Sequence, residues 1–181
     1  KAGDYELTEN TSPWQLLERV TTGDVNQSEV RFIEGWTFSQ LRKTLNEHPA
    51  VRHDTAGLSD LEILRLIGAG ETAAEGLFFP DTYYFVRGNS DITILKRAYR
   101  AMQNSLAIAW AGRAMNLPLT DAYQALILAS IIEKETGREG DRTNIAGVFV
   151  NRLRLGMRLQ TDPTVIYGLG EKFDGNLRKK D

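Results

Sequence analysis

The sequence contains no cysteine, which removes disulfides, thiolate nucleophiles and cysteine zinc sites. His48 and His53 are its only histidines. They stand outside any HExxH arrangement, which argues against a metal centre. No serine occupies a nucleophile elbow, so a Ser-His-Asp triad is not expected. Gly68-Ala69-Gly70 and Gly168-Leu169-Gly170 lack the strand–helix setting of a phosphate loop. No apolar run approaches the roughly 18 residues of a membrane span, and no signal-peptide pattern is visible. Charge of one sign is also lacking: 22 Lys and Arg face 24 Asp and Glu, a net −2. No nucleic-acid footprint follows from that balance.

What is there is globular composition, with 41% hydrophobic and 25% charged residues in 181. That is enough for one domain, or one domain with a small appendage. With metal, thiol and triad set aside, the chemistry left is that of carboxylates.

The hydrophobic pattern predicts an α+β, mainly helical fold. Residues 3–8 and Glu29–Glu34 alternate like short strands. Between them Ser12, Pro13 and Gln15 form a capping box with the favoured N1 proline, starting a helix that ends near Gly23. This strand–helix–strand unit is too small to bury much alone. Thr37 with Gln40, and Ser59 with Glu62, repeat the capping box and predict helices at 38–47 and 60–67. His48-Pro49 should end the first, and Gly68 and Gly70 the second. Glu75–Phe85 is aromatic and broken by Pro80, and is expected to be extended or irregular, packed against the core and lining a cleft. Ile92, Leu95, Tyr99, Met102, Leu106 and Ala109 fall at helical steps and predict one helix over 91–115. A further helix fits Thr143–Leu155, with Ile145, Val148, Phe149 and Leu153 inward and Gly156 as its stop. A short one fits Thr164–Tyr167 after Asp162-Pro163.

The stretch Asp121–Gly137 holds the chain together. Asp121 and Gln124 cap a helix that is apolar from Ala122 to Ile132 and then abruptly charged at Glu133, Lys134 and Glu135. A helix apolar on all sides belongs in the middle of a domain. Glu133 extends the face of Leu126, Ala129 and Ser130. Apolar surroundings and the negative end of the helix dipole both disfavour its ionised form. A carboxylic acid held protonated is what glycosidic cleavage needs. The plainer alternative is a helix-end glutamate in solvent or paired with an arginine.

The second stretch is Leu159–Gly168. Asp162 before Pro163 is most simply an N-cap. Gln160, Thr161 and Tyr167 offer neutral donors and acceptors with an aromatic face, suited to sugars. Arg142, Arg152, Arg154 and Arg158 read as a solvated face, or as binders of carboxylates on an acidic glycan or peptide.

Three segments carry a family likeness. ASIIEKET (Ala129–Thr136), VFVNRLRLGMRLQTDPTVIYG (Val148–Gly168) and EGLFFPDTYYF (Glu75–Phe85) resemble the endolytic murein transglycosylases, the MltG or YceG-like family. Lys1–Gly23 resembles that family's LysM-like N-terminal part. Glu34–Leu41 resembles the start of its catalytic domain. The likeness thus implies a LysM-like unit over residues 1–34 and a catalytic domain over residues 35–181. It also implies an N-terminal membrane anchor and a C-terminal segment rich in Thr, Asn, Tyr, Gly and Pro, both outside this sequence.

The resemblance implies a bacterial inner-membrane protein with its catalytic part in the periplasm, cutting peptidoglycan glycan strands internally and working near peptidoglycan synthases. It implies no cofactor, no metal and no nucleic acid. Glu133, the first glutamate of EKET, takes the catalytic place. Glu75, Asp81, Tyr83, Asn151, Gln160, Thr161, Asp162 and Tyr167 fall in the motifs expected to contact substrate. The implied reaction breaks the MurNAc–GlcNAc β-1,4 bond without water and leaves 1,6-anhydroMurNAc ends. Two rivals stand beside it: a hydrolase using Asp162 or Glu135 as base or nucleophile, and a non-catalytic module that binds peptidoglycan or scaffolds a synthase.

Overall fold

In the computed structural model, residues 11–22 and 26–178 are described, apart from the side chain of Glu171. The strand expected at 3–8 and the helix stop at Gly23 lie outside the described residues. Two compact units divide the chain between Asn104 and Ser105.

The first unit holds helix α1 (Pro13–Thr22), strand β1 (Gln27–Arg31), helices α2 (Phe38–Glu47) and α3 (Asp60–Ile67), strand β2 (Thr82–Val86) and the larger part of α4 (Asp91–Ala111). The three capping boxes form as expected. Ser12 N donates to Gln15 Oε1 at 2.9 Å, and Thr37 N to Gln40 Oε1 at 2.9 Å. Ser59 N donates to Glu62 Oε2 at 2.8 Å. Each box satisfies N–H groups that a helix start leaves without an intrahelical partner. Gly68 closes α3 with φ 80°, which lets Ala69 N reach Leu64 O at 2.9 Å. A side chain at that residue would resist the left-handed turn.

Glu75–Phe85 is more regular than its composition suggests. Its second half is β2, antiparallel to β1, with Val30 opposite Tyr83 and Gln27 opposite Val86. Alternation then explains the aromatic run. Tyr83 and Phe85 turn inward and Tyr84 outward, as the two-residue period of a strand requires. Around this hairpin the core gathers Phe32, Phe38, Leu41, Leu45, Ile63, Leu64, Leu77, Phe78, Ile94 and Leu95. Phe38 and Phe78 stack at 4.8 Å, and Phe32 meets Tyr83 at 5.1 Å. His48 is part of this packing: its ring meets Phe85 edge-on at 5.2 Å and Nε2 lies 3.0 Å from Glu29 O. Helix α4 stops at Ala111, short of the expected Met115. Gly112 follows there, and Arg113 folds back over the Trp110 ring at 4.0 Å. The buried stripe of α4 is Asp91, Ile94, Leu95 and Ala98. It is led by a carboxylate because Asp91 accepts Thr55 N at 3.0 Å and the Thr55 hydroxyl at 2.6 Å.

The second unit holds the end of α4, then α5 (Ala122–Glu135), α6 (Glu139–Arg154), α7 (Asp162–Leu169) and a 3₁₀ turn at Gly170–Lys172. Helix α5 packs against both α6 and α7. Its expected burial on all sides is not observed. Leu128 alone is buried among its described residues, while Tyr123 and Ile127 are exposed. An apolar helix is only as buried as its neighbours can make it, and two helices cover two sides. For the same reason Val148 of α6 faces outward while Phe149 is buried. Helix α6 begins four residues earlier than periodicity suggests, with Glu139 and Asp141 in its first turn. There they complement the positive end of the dipole.

Candidate active site

Glu133 and Glu135 stand on the last turn of α5, held at its other end by Asp121. That N-cap carboxylate accepts Gln124 N at 2.9 Å and the Thr120 hydroxyl at 2.9 Å. Both contacts favour the ionised form and hold Asp121 below its ordinary value, the backbone donor chiefly.

Residues two positions apart on a helix differ by about 200° in direction, so the two glutamates diverge. Glu133 goes to α6, where its Oε2 lies 3.0 Å from Arg142 Nη2. Its side chain keeps 32% of its exposure, and that of Arg142 43%. Glu133 therefore sits in a half-open, polar setting rather than the apolar one expected from its helical face. The arginine partner is the plainer of the two alternatives raised by the sequence. Arg142 Nε is buried with no hydrogen-bond partner, so one of its donors is uncommitted.

Glu135 goes to α7, where its Oε1 accepts the Thr161 hydroxyl. Thr161 is 5% exposed. It is also the N-cap of α7, one residue before the expected Asp162, which becomes the first helical residue. The threonine hydroxyl is taken by Glu135, so it makes no side-chain cap, and its carbonyl instead receives Thr164 N at 3.2 Å and the Thr164 hydroxyl at 2.7 Å. Immediately before it, Gln160 has φ 52°, the one left-handed non-glycine residue among those described. Such a conformation costs of order 1 kcal/mol or more and persists where its surroundings enforce it. Arg152 contributes to that enforcement by donating Nη1 to Leu159 O, while its own carbonyl accepts Met157 N at 2.8 Å. Arg152 is thus a loop anchor, not a solvated charge.

The remaining residues singled out by sequence divide between the units. Asp162 and Tyr167 are exposed on α7, and Asn151 is exposed on α6 with Arg154 Nη1 3.5 Å from its Oδ1. Glu75, Asp81 and Tyr83 belong to the first unit. There Glu75 Oε2 accepts Phe38 N at 2.9 Å, serving the start of α2. Asp81 is exposed, and its Oδ1 accepts Thr82 N at 2.7 Å. Tyr83 is buried and donates its hydroxyl to Phe79 O at 2.7 Å. Burial, aided by the nearby Asp81 charge, pushes its phenol up to about 12. In this conformation it is a core residue. Sequence reasoning missed the Glu135–Thr161 tie and the role of Arg152, because the first joins residues far apart in the chain and the second depends on how the loop after α6 folds back on it.

Fold and site together describe a mainly helical α+β protein whose candidate chemistry rests on a glutamate at a helix end. The chain belongs to the YceG-like family, whose profile matches residues 1–181. It is 37% identical to an endolytic murein transglycosylase of Bacillus subtilis across 58% of this chain and 29% of that protein. It is 26% identical to an endolytic murein transglycosylase of Streptococcus pneumoniae across 94% of this chain and 36% of that one. Among solved structures it resembles a yceG-like protein of Listeria monocytogenes, with TM-score 0.62, 26% identity, and coverage of 97% of this chain and 63% of the other. The chain therefore spans only about a third of the curated relatives it matches.

Proposed function

We propose that the protein is an endolytic lytic transglycosylase acting on the glycan strands of peptidoglycan, with Glu133 as the residue that moves the proton. The observation that carries this is family membership along the whole chain, joined to relatives named as endolytic murein transglycosylases.

In this reading the glycan enters beside the end of α5 and Arg142 moves away from Glu133. Protonated Glu133 gives its proton to the MurNAc–GlcNAc oxygen as that bond breaks, and GlcNAc leaves with a free hydroxyl. The electron-poor MurNAc carbon is stabilised by its own N-acetyl group. Ionised Glu133 then takes the proton from the MurNAc O6 hydroxyl while O6 bonds to that carbon, closing the 1,6-anhydro ring. One carboxylate serves as acid and then as base, water is not consumed, and Glu133 ends protonated as it began. The engagement of Glu135 by Thr161 supports this route over a hydrolase in which Glu135 is the second carboxylate. Gln160 and Tyr167 supply hydrogen bonds and an aromatic face for the sugar rings.

The same reading gives residues 1–34 a LysM-like role in engaging glycan. It places the enzyme outside the cytoplasm, anchored in the inner membrane and working beside peptidoglycan synthases. Among the described residues no helix is long and apolar enough to cross a membrane. Product analysis tests the chemistry. Strands digested by the protein should carry 1,6-anhydroMurNAc ends; reducing MurNAc ends would identify a hydrolase, and binding without turnover a non-catalytic module.

A further inference from the structure

We infer that Glu135 is a positioning residue: its carboxylate, through the buried Thr161 hydroxyl, holds Gln160 in the left-handed conformation in which it receives the glycan. The inference rests on the functional reading above and assigns the second glutamate of the EKET stretch a task different from the first.

Three observations carry it. First, Glu133 and Glu135 diverge to different helices, Glu133 to Arg142 of α6 and Glu135 to Thr161 at the start of α7. Second, Thr161 is buried to 5% exposure and makes no cap bond with its hydroxyl. The Glu135 acceptor is therefore what satisfies a donor that would otherwise be buried without a partner. Third, the residue directly before Thr161 is the one left-handed non-glycine among those described. A strained backbone of this kind relaxes unless both sides are fixed. On one side Arg152 holds Leu159 O. On the other, Glu135 holds Thr161. Gln160 is thus suspended between two anchors, and its carboxamide is presented from a backbone that would not choose that conformation alone. A hydrogen bond to a charged acceptor is stronger than a neutral one, which suits a carboxylate to this task.

The test compares Glu135→Ala, Thr161→Val and Thr161→Ser on uncrosslinked glycan strands in the full chain, with Glu133→Gln as the inactive reference. Glu135→Ala and Thr161→Val should each raise KM about tenfold and leave kcat within about twofold. Thr161→Ser, which keeps the hydroxyl, should retain wild-type KM. The double variant Glu135→Ala/Thr161→Val should be no worse than either single one, since both remove the same bond. A merely structural role would give another pattern, a smaller active fraction with lower kcat and unchanged KM, and that result overturns the inference. So does wild-type KM in Glu135→Ala. If the wild-type protein itself leaves strands uncut, the functional reading falls and takes the inference with it. Cutting by wild type with an unaltered Glu135→Ala removes the inference alone.

Discussion

Glu133 and Tyr83 show how far a residue's chemistry depends on neighbours from elsewhere in the chain. The helical face of Glu133 suggested an apolar setting, but a side chain at a helix end points past its own face. Here it finds Arg142, whose position depends on where α6 begins. Tyr83 lies in the core for a related reason. Its motif resemblance could not reveal the pairing of β2 with β1, which turns it inward. With its titration pushed up to about 12, Tyr83 is more acidic in the unfolded chain than in the folded one. Its neutral form therefore contributes stability that is complete below the ordinary value of 10.0 and is lost as pH rises toward 12. Burial and the bond to Glu71 also raise the Tyr99 phenol, so phenolate absorbance should show a late-ionising component that shrinks, without vanishing, in Tyr83→Phe. An unchanged late component in Tyr83→Phe would contradict the buried assignment.

Among the elements, local signals were legible and pairings were not. The starts of α1, α2 and α3 could be read because each cap is made within four residues. The end of α4 was misplaced because the chain turns at Gly112, before the expected Met115. Strand β2 was obscured by Pro80 and by a run of rings whose alternation has meaning only once a partner strand is present. Two predictions belong here. Glu75 serves the first N–H of α2, so Glu75→Ala should lower stability by about 1 kcal/mol in denaturant unfolding. Unchanged stability would return Glu75 to a purely substrate-facing role. Asp121 caps α5 and is held below the ordinary carboxylate value of 3.8. A depressed folded value means the contribution is complete above that ordinary value and is lost as pH falls through the folded one. Asp121→Asn, which still caps but does not titrate, should match wild type at neutral pH and show a shallower acid limb. A cap without electrostatic weight would leave the two acid limbs superimposed.

Taken as a whole molecule, the chain is unevenly packed. The first unit has a dense core from Val30 to Ala98, whereas the second buries Leu128, Phe149 and Thr161 among its described residues. Composition could not show this, because apolar content is similar along the chain and burial depends on what surrounds each helix. Hydrogen exchange should reflect the difference. Amides of Ile63, Leu64, Ile94 and Leu95 should exchange slowest, and those of α6 and α7 faster. Uniform protection across both units would contradict that ordering. The candidate site belongs to the less densely buried unit, where Glu133–Arg142 and Glu135–Thr161 fix the end of α5 by polar contacts instead of by core packing.

Glu133→Gln separates a Glu133 that moves the proton from one that only pairs with Arg142. The amide keeps the shape and removes both the acid and the ion pair. With Glu133 32% and Arg142 43% exposed, the lost pair should cost no more than about 1 kcal/mol. The variant should fold, bind glycan strands as wild type does and release no 1,6-anhydroMurNAc ends. Retained cleavage, or unfolding of the variant at neutral pH, would contradict this and return Glu133 to the role of a structural partner for Arg142.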